Sequence, residues 1–124
     1  CNLGWLYYKQ ENYHSAINEF ETSIKINPNP TAYRGLGSSL LRLGKYNQAK
    51  DALKQATSLS KDWKSYRDFG WALFYLRRYQ EAENAFRQSL AINENSSSYK
   101  GLKEALHQIK TGENHSDMSK KSLD

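Results

Sequence analysis

With 124 residues, 38% of them hydrophobic, and a net charge of +5, the chain suits one domain around one continuous core. No apolar run approaches the roughly 20 residues a membrane-spanning helix needs, so membrane insertion is not expected. The single cysteine, Cys1, excludes an intrachain disulfide and a cysteine-built zinc site.

In chain order, the first apolar stripe is Leu3, Leu6 and Tyr7, followed by a second of Tyr13, Ala16, Phe20 and Ile24. Both follow the three-to-four spacing that places side chains on one helical face. The next pair is Tyr33, Leu36, Leu40 and Leu43, then, after the break at Gly44-Lys45, Tyr46, Ala49, Leu53, Ala56 and Leu59. A third pair follows: Tyr66, Phe69, Leu73 and Leu76, then Tyr79, Ala82, Phe86 and Leu90. The last stripe, Tyr99, Leu102, Leu106 and Ile109, is single. Ser96-Ser97-Ser98 offers N-cap chemistry for it, and Thr111-Gly112 is expected to stop it.

These stripes recur with a step of 33 residues. Tyr33, Tyr66 and Tyr99 share it, as do Gly4, Gly37 and Gly70, then Ala16, Ala49 and Ala82, then Phe20, Leu53 and Phe86. Several columns keeping one register define an internal repeat of paired helices. Glycine inside a helix costs up to about 1 kcal/mol against alanine, so Gly37 and Gly70 point to close approach by a neighbouring helix. The alanine column does the same on the second helix, and the large residue one turn later fills the space beside it. One such hairpin cannot cover its own apolar stripe, so the units must stack.

The pattern Leu3-Gly4-x-x-Tyr7, Ala16-x-x-x-Phe20 and Pro28, with its later copies Leu36-Gly37, Gly44, Tyr46, Ala49, Leu53 and Phe69-Gly70, Tyr79, Ala82, Phe86, resembles the tetratricopeptide repeat (TPR). The resemblance implies an all-α fold, an α-solenoid of three TPR helical hairpins plus a C-terminal solvating cap helix. The TPR domain is expected over residues 1–110, with repeats at about 1–29, 30–62 and 63–95 and a cap helix at 96–110. Residues 111–124 are expected to form a disordered tail or linker. Lys61 and Glu94 replace the usual terminal proline and Arg77 the inter-helix glycine. Pentatricopeptide RNA readers share the period, but the Gly and Ala columns fit the TPR better.

No catalytic set is legible. His14, His107 and His115 share no ligand spacing, and Gly35-x-Gly37 is explained by helix packing rather than by phosphate binding. The chain is therefore expected not to be an enzyme and to carry no cofactor or metal. The lone cysteine fits a cytoplasmic, reducing compartment. Lipid anchoring through Cys1 is not expected, because an acylated cysteine sits on a tether and this one runs straight into a helix. The chain begins in mid-pattern, which reads as an excised or processed piece.

The resemblance implies that the first helix of each hairpin lines a concave groove, and spacing then supplies the columns left over from packing. Cys1, Arg34, Arg67 and Lys100 form one, in which Arg34, Arg67 and Lys100 make a basic ladder; Trp5, Ser38, Trp71 and Glu104 form the next. Tyr8, Leu41, Phe74 and His107 follow, with Lys9, Arg42, Tyr75 and Gln108 beside them. Arginine pairs bidentately with carboxylates, and aromatics supply hot-spot area, so the expected partner is a peptide segment carrying acidic and bulky apolar residues. TPR domains that grip a chaperone's terminal carboxylate use Lys and Asn, then Asn, then Lys and Arg. Here those sites hold Cys1 and Trp5, Gly35, and Lys64 and Asp68, and only Lys64 agrees. Chaperone-tail binding is thus not expected. The alternative is a structural or self-association module that stacks through an uncapped aromatic N-terminal end at Trp5, Tyr7 and Tyr8. Nucleic acid is not expected as a partner, because acids such as Glu19, Glu21, Asp51 and Asp62 are scattered among the basic residues.

Overall fold

The computed structural model describes residues 2–123, with side chains described for residues 2–112. Its elements are all helical: α1 (Asn2–Lys9), α2 (Tyr13–Ile26), α3 (Pro30–Arg42), α4 (Tyr46–Leu59), α5 (Trp63–Tyr75), α6 (Tyr79–Ile92) and α7 (Ser96–Leu123). Each helix packs on the next in sequence. Beyond that, the backbone of α1 comes close to α3, that of α3 to α5 and that of α5 to α7, whereas the backbones of α2, α4 and α6 stand farther from one another. The odd helices therefore form the crowded inner layer and the even helices splay on the outside. This is the curvature of a solenoid, and it makes the odd helices the concave face.

The turn inside each hairpin repeats too. Glu11, Gly44 and Arg77 stand one step apart and adopt φ of 61°, 77° and 64°. The following residues, Asn12, Lys45 and Arg78, donate N–H groups back to Tyr7, Leu40 and Leu73, closing each first helix with a left-handed cap. Only the middle turn has the glycine this conformation favours. The turns between hairpins are held by a second column. Asn29 Oδ1 accepts from the Ala32 amide at 2.9 Å, Asp62 Oδ1 from Lys64 at 3.2 Å and Asn95 Oδ1 from Ser98 at 2.8 Å. The cap of α7 is thus Asn95, not the expected Ser96-Ser97-Ser98. Ser98 is instead buried, its hydroxyl bonded to Ser89 at 2.8 Å.

The large residues of the second helices knit the layers. Phe20, Leu53 and Phe86 are fully buried. A Cβ added at Gly4 would lie 2.8 Å from Phe20, at Gly37 2.4 Å from Leu53, and at Gly70 2.7 Å from Phe86. These glycines are where the partner helix comes close, as the spacing predicts. Burying such a side chain is worth roughly 1.5–3 kcal/mol.

The ends differ from expectation. Helix α7 does not stop at Thr111-Gly112, where a tail was expected, but continues to Leu123. Thr111 donates its hydroxyl to the His107 carbonyl at 2.7 Å from within the helix, and one glycine costs only about 1 kcal/mol. Tyr99 and Leu106 on α7 remain 52% and 39% exposed, whereas Leu73, the counterpart of Leu106 on α5, is 2% exposed under α6. At the other end, Trp5, Tyr7 and Tyr8 turn inward against the cluster of Ala16, Phe20 and Ala32. The exposed apolar residues there are Leu3 and Leu6, so this end face is aliphatic rather than aromatic. Cys1 lies outside the described residues. No helix among the described residues is long and apolar enough to cross a membrane.

Candidate functional site

The inner helices place side chains four residues apart along one face, and three of them, α1, α3 and α5, meet Ser97 of α7 around one cavity. It has a volume of about 510 Å³ and is lined by Tyr8, Ser38, Leu41, Arg42, Tyr46, Arg67, Asp68, Trp71, Tyr75 and Ser97. Its floor is polar. Ser38 donates its hydroxyl to Asp68 Oδ2 at 2.6 Å, and Arg67 Nε donates to Asp68 Oδ1 at 3.0 Å. Asp68 is only 8% exposed, so its charge is held by an adjacent guanidinium and a hydroxyl, as a buried carboxylate requires. Among the described residues no buried side-chain polar atom lacks a partner.

The walls are aromatic and cationic. Tyr46 and Tyr75 stack with centroids 4.8 Å apart at 18°, and Trp71 lies against Tyr75 at 6.0 Å and 30°. Tyr75 is nonetheless 51% exposed, so its ring is ordered yet accessible. Opposite, Arg42 Nε donates to the Tyr8 hydroxyl at 3.2 Å. That hydrogen bond, with the attraction of the same oxygen, raises the already high pKa of Arg42. The terminal nitrogens of Arg42 and Arg67 make no hydrogen bond among the described residues. Each guanidinium is thus oriented through Nε with its terminal nitrogens left for another acceptor, and that of Arg67 also lies 5.3 Å over the Trp63 ring.

Of the residues expected in the groove, Tyr8, Leu41, Arg42, Arg67, Trp71 and Tyr75 come together in this cavity. Phe74 and Lys100 line another, of about 580 Å³, between α5 and α7 with Lys103, Glu104, His107 and Gln108. The basic ladder is not continuous. Arg34 pairs with Asp62 at 3.5 Å and lies 4.5 Å over the Trp5 ring, away from the cavity that Arg67 lines. Lys64 is exposed on the first turn of α5, 5.8 Å over Trp63, and Lys9 is exposed at the end of α1.

The expected division between packing residues and free groove residues also fails for three aromatics. Trp5 packs edge-on to Phe20 at 5.0 Å, and Trp71 packs edge-on to Phe86 at 5.2 Å while donating to Ser97 at 3.0 Å. Phe74 packs on Tyr79 at 5.3 Å. Their backbone columns face the groove, but side chains this long reach back to the core. Conversely, Tyr46 joins the cavity although its column marks it as packing, and Asp68 belongs to its floor. The sequence signal for Asp68 was its place in one column with Asn2, Gly35 and Gly101, two of them glycines.

A cavity of about 520 Å³ on the outer side, between α2, α3 and α4, is lined by packing columns and by charges of both signs, among them Glu21, Lys45 and Asp51. Among the described residues no three His, Cys, Asp or Glu side chains are grouped to hold a metal ion.

Two sequence profiles described as tetratricopeptide repeat match the chain, one over residues 1–62 and the other over residues 63–96. A curated relative, Superkiller protein 3 of Schizosaccharomyces pombe, is 37% identical over 59 residues; these are 47% of this chain and 4% of that protein, so the chain spans a small part of it. Among solved structures, the first TPR of Spaghetti (RPAP3) bound to HSP90 peptide SRMEEVD is similar at a TM-score of 0.85 and 25% identity, over 88% of this chain and 89% of that one. The first TPR domain of human RPAP3 gives 0.85 and 26% over 91% of each chain. The Arabidopsis OM64 TPR domain gives 0.81 and 29% over 84% and 88%.

Proposed function

The chain belongs to the tetratricopeptide repeat family, and from that premise we propose that it is a protein–protein interaction module holding a partner's peptide segment in its concave groove. The observation that carries this reading is the pairing of Tyr75, half exposed and stacked on Tyr46, with two arginines, Arg42 and Arg67, that line the same cavity. An aromatic ring already ordered by its neighbours gives contact area at little entropic cost, and an oriented guanidinium favours a carboxylate. The segment therefore carries an acidic side chain for Arg42 or Arg67 and a bulky apolar one for the Tyr46–Tyr75–Trp71 shelf. Recognition of an acidic peptide by the similar Spaghetti domain supports the coarse reading. The detail differs, because Trp5, Gly35 and Asp68 stand where a carboxylate-gripping TPR would carry Asn, Asn and Arg.

The test is selection from a random peptide library on the wild-type chain and on Tyr75→Ala and Arg42→Glu variants. The reading expects enriched peptides on the wild type, lost on both variants while each stays folded and loses no more than about 1 kcal/mol of stability. Peptides that bind all three equally would refute it. A second reading rests on Leu3 and Leu6, 45% and 50% exposed on α1, which suit packing against another helix and make the chain a self-association module. Sedimentation over a range of concentrations separates the two, since a strict monomer removes the second.

A further inference from the structure

Phe20 and Phe86 each face two first helices, their own at Gly4 and Gly70 and the next, while Leu53 faces its own at Gly37. On the next helix, a Cβ at Gly35 would lie 2.3 Å from the Phe20 ring, and one at Gly101 2.3 Å from the Phe86 ring. A phenylalanine therefore demands glycine fifteen residues later. The middle repeat departs at both positions together: Leu53 replaces phenylalanine and Asp68 replaces glycine. Where leucine replaces the phenylalanine, the position equivalent to Gly35 and Gly101 carries a side chain, a carboxylate with defined partners, Ser38 at 2.6 Å and Arg67 at 3.0 Å. Each carboxylate oxygen offers two acceptor sites, so one hydrogen bond to each leaves further acceptor capacity on a residue that lines the cavity.

We propose that Asp68 is the specificity-determining residue of this groove, admitting an internal stretch of a partner chain and turning away a free carboxyl terminus. The proposal rests on the groove-binding reading above. A main chain crossing the floor presents N–H donors, which Asp68 accepts, while its acidic side chains reach Arg42. A terminal carboxylate in the same place meets a like charge, and Arg67, the nearest cation, is already turned to Asp68 through Nε. Like-charge juxtaposition at an interface is strongly penalised.

The experiment screens the full chain against two random heptapeptide libraries that differ only in ending as a free acid or as an amide, and then remakes the selected peptides in both forms. The wild type is expected to hold the amide form roughly ten-fold or more tightly than the acid form. In Asp68→Asn that ratio is expected to fall to near parity. Should that variant fail to fold, Leu53→Phe with Asp68→Gly rebuilds the packing of the other two repeats and removes the carboxylate. Tighter binding of the acid form by the wild type overturns the proposal while leaving groove binding intact, as does an amide preference that persists without Asp68. Enrichment from neither library removes groove binding itself, and this proposal with it.

Discussion

Replacing Leu53 by phenylalanine tests the packing logic behind the groove floor. In the first and third repeats the space beside the phenylalanine ring is so narrow that even a Cβ would come within 2.3 Å of it. In the middle repeat Asp68 fills the equivalent place, so Leu53→Phe forces a ring and a carboxylate together. Overpacking of this kind costs about 1–3 kcal/mol. Asp68→Gly alone also destabilises, by roughly 2–3 kcal/mol, because it adds helical glycine and strips Ser38 of its buried acceptor. The two changes together restore the arrangement of Phe20 with Gly35 and of Phe86 with Gly101, so the double variant is expected to be about 1–3 kcal/mol more stable than the sum of the singles. For a chain of this size that is roughly 3–10 °C in Tm. Urea unfolding followed by helical circular dichroism, on the four members of the cycle, measures it. Additivity within about 0.5 kcal/mol would mean that the two residues do not share the space, and the account of how Asp68 came to occupy the groove fails.

Arg77 holds φ of 64° without being glycine, so Arg77→Gly is expected to stabilise by about 1 kcal/mol, seen as a higher urea midpoint; a lower one refutes the strain. Asn95 caps α7 through Ser98 and also donates to Ser89; Asn95→Ala is expected to cost about 1–2 kcal/mol, and faster amide exchange at the start of α7 should accompany it. Trp71→Ala is expected to lower stability by about 3 kcal/mol or more, through its packing on Phe86, whereas Tyr75→Ala costs about 1 kcal/mol or less. Equal thermal shifts for these two would contradict the division between ordering and contact residues.

The fold was legible because its physics is periodic. One step of 33 residues carries the Gly37–Leu53 and Gly70–Phe86 close approaches, and the structure places each pair in contact. The groove was legible only in part, since spacing locates a Cα and not the end of a long side chain. Trp71 sits in a groove column, yet its indole reaches both Phe86 and Ser97. Arg34 and Arg67 share a column, yet Asp62 draws the first away and Asp68 turns the second across the floor. These ion pairs join residues of different elements or depend on rotamers, and neither is visible in helical spacing. The cap of α7 was missed for a related reason. Three serines are better cap candidates in number, but Asn95 belongs to the column of Asn29 and Asp62, and the repeat decides the register.

Whether a partner segment lies in the concave groove is decided by nuclear magnetic resonance mapping of a library-selected peptide on the labelled chain. The account predicts shifts concentrated on the inner faces of α1, α3 and α5, at Tyr8, Ser38, Arg42, Arg67 and Tyr75, with Ser97 included. Shifts concentrated at Leu3 and Leu6, or along α2 and α4, with the inner residues unmoved, would contradict it.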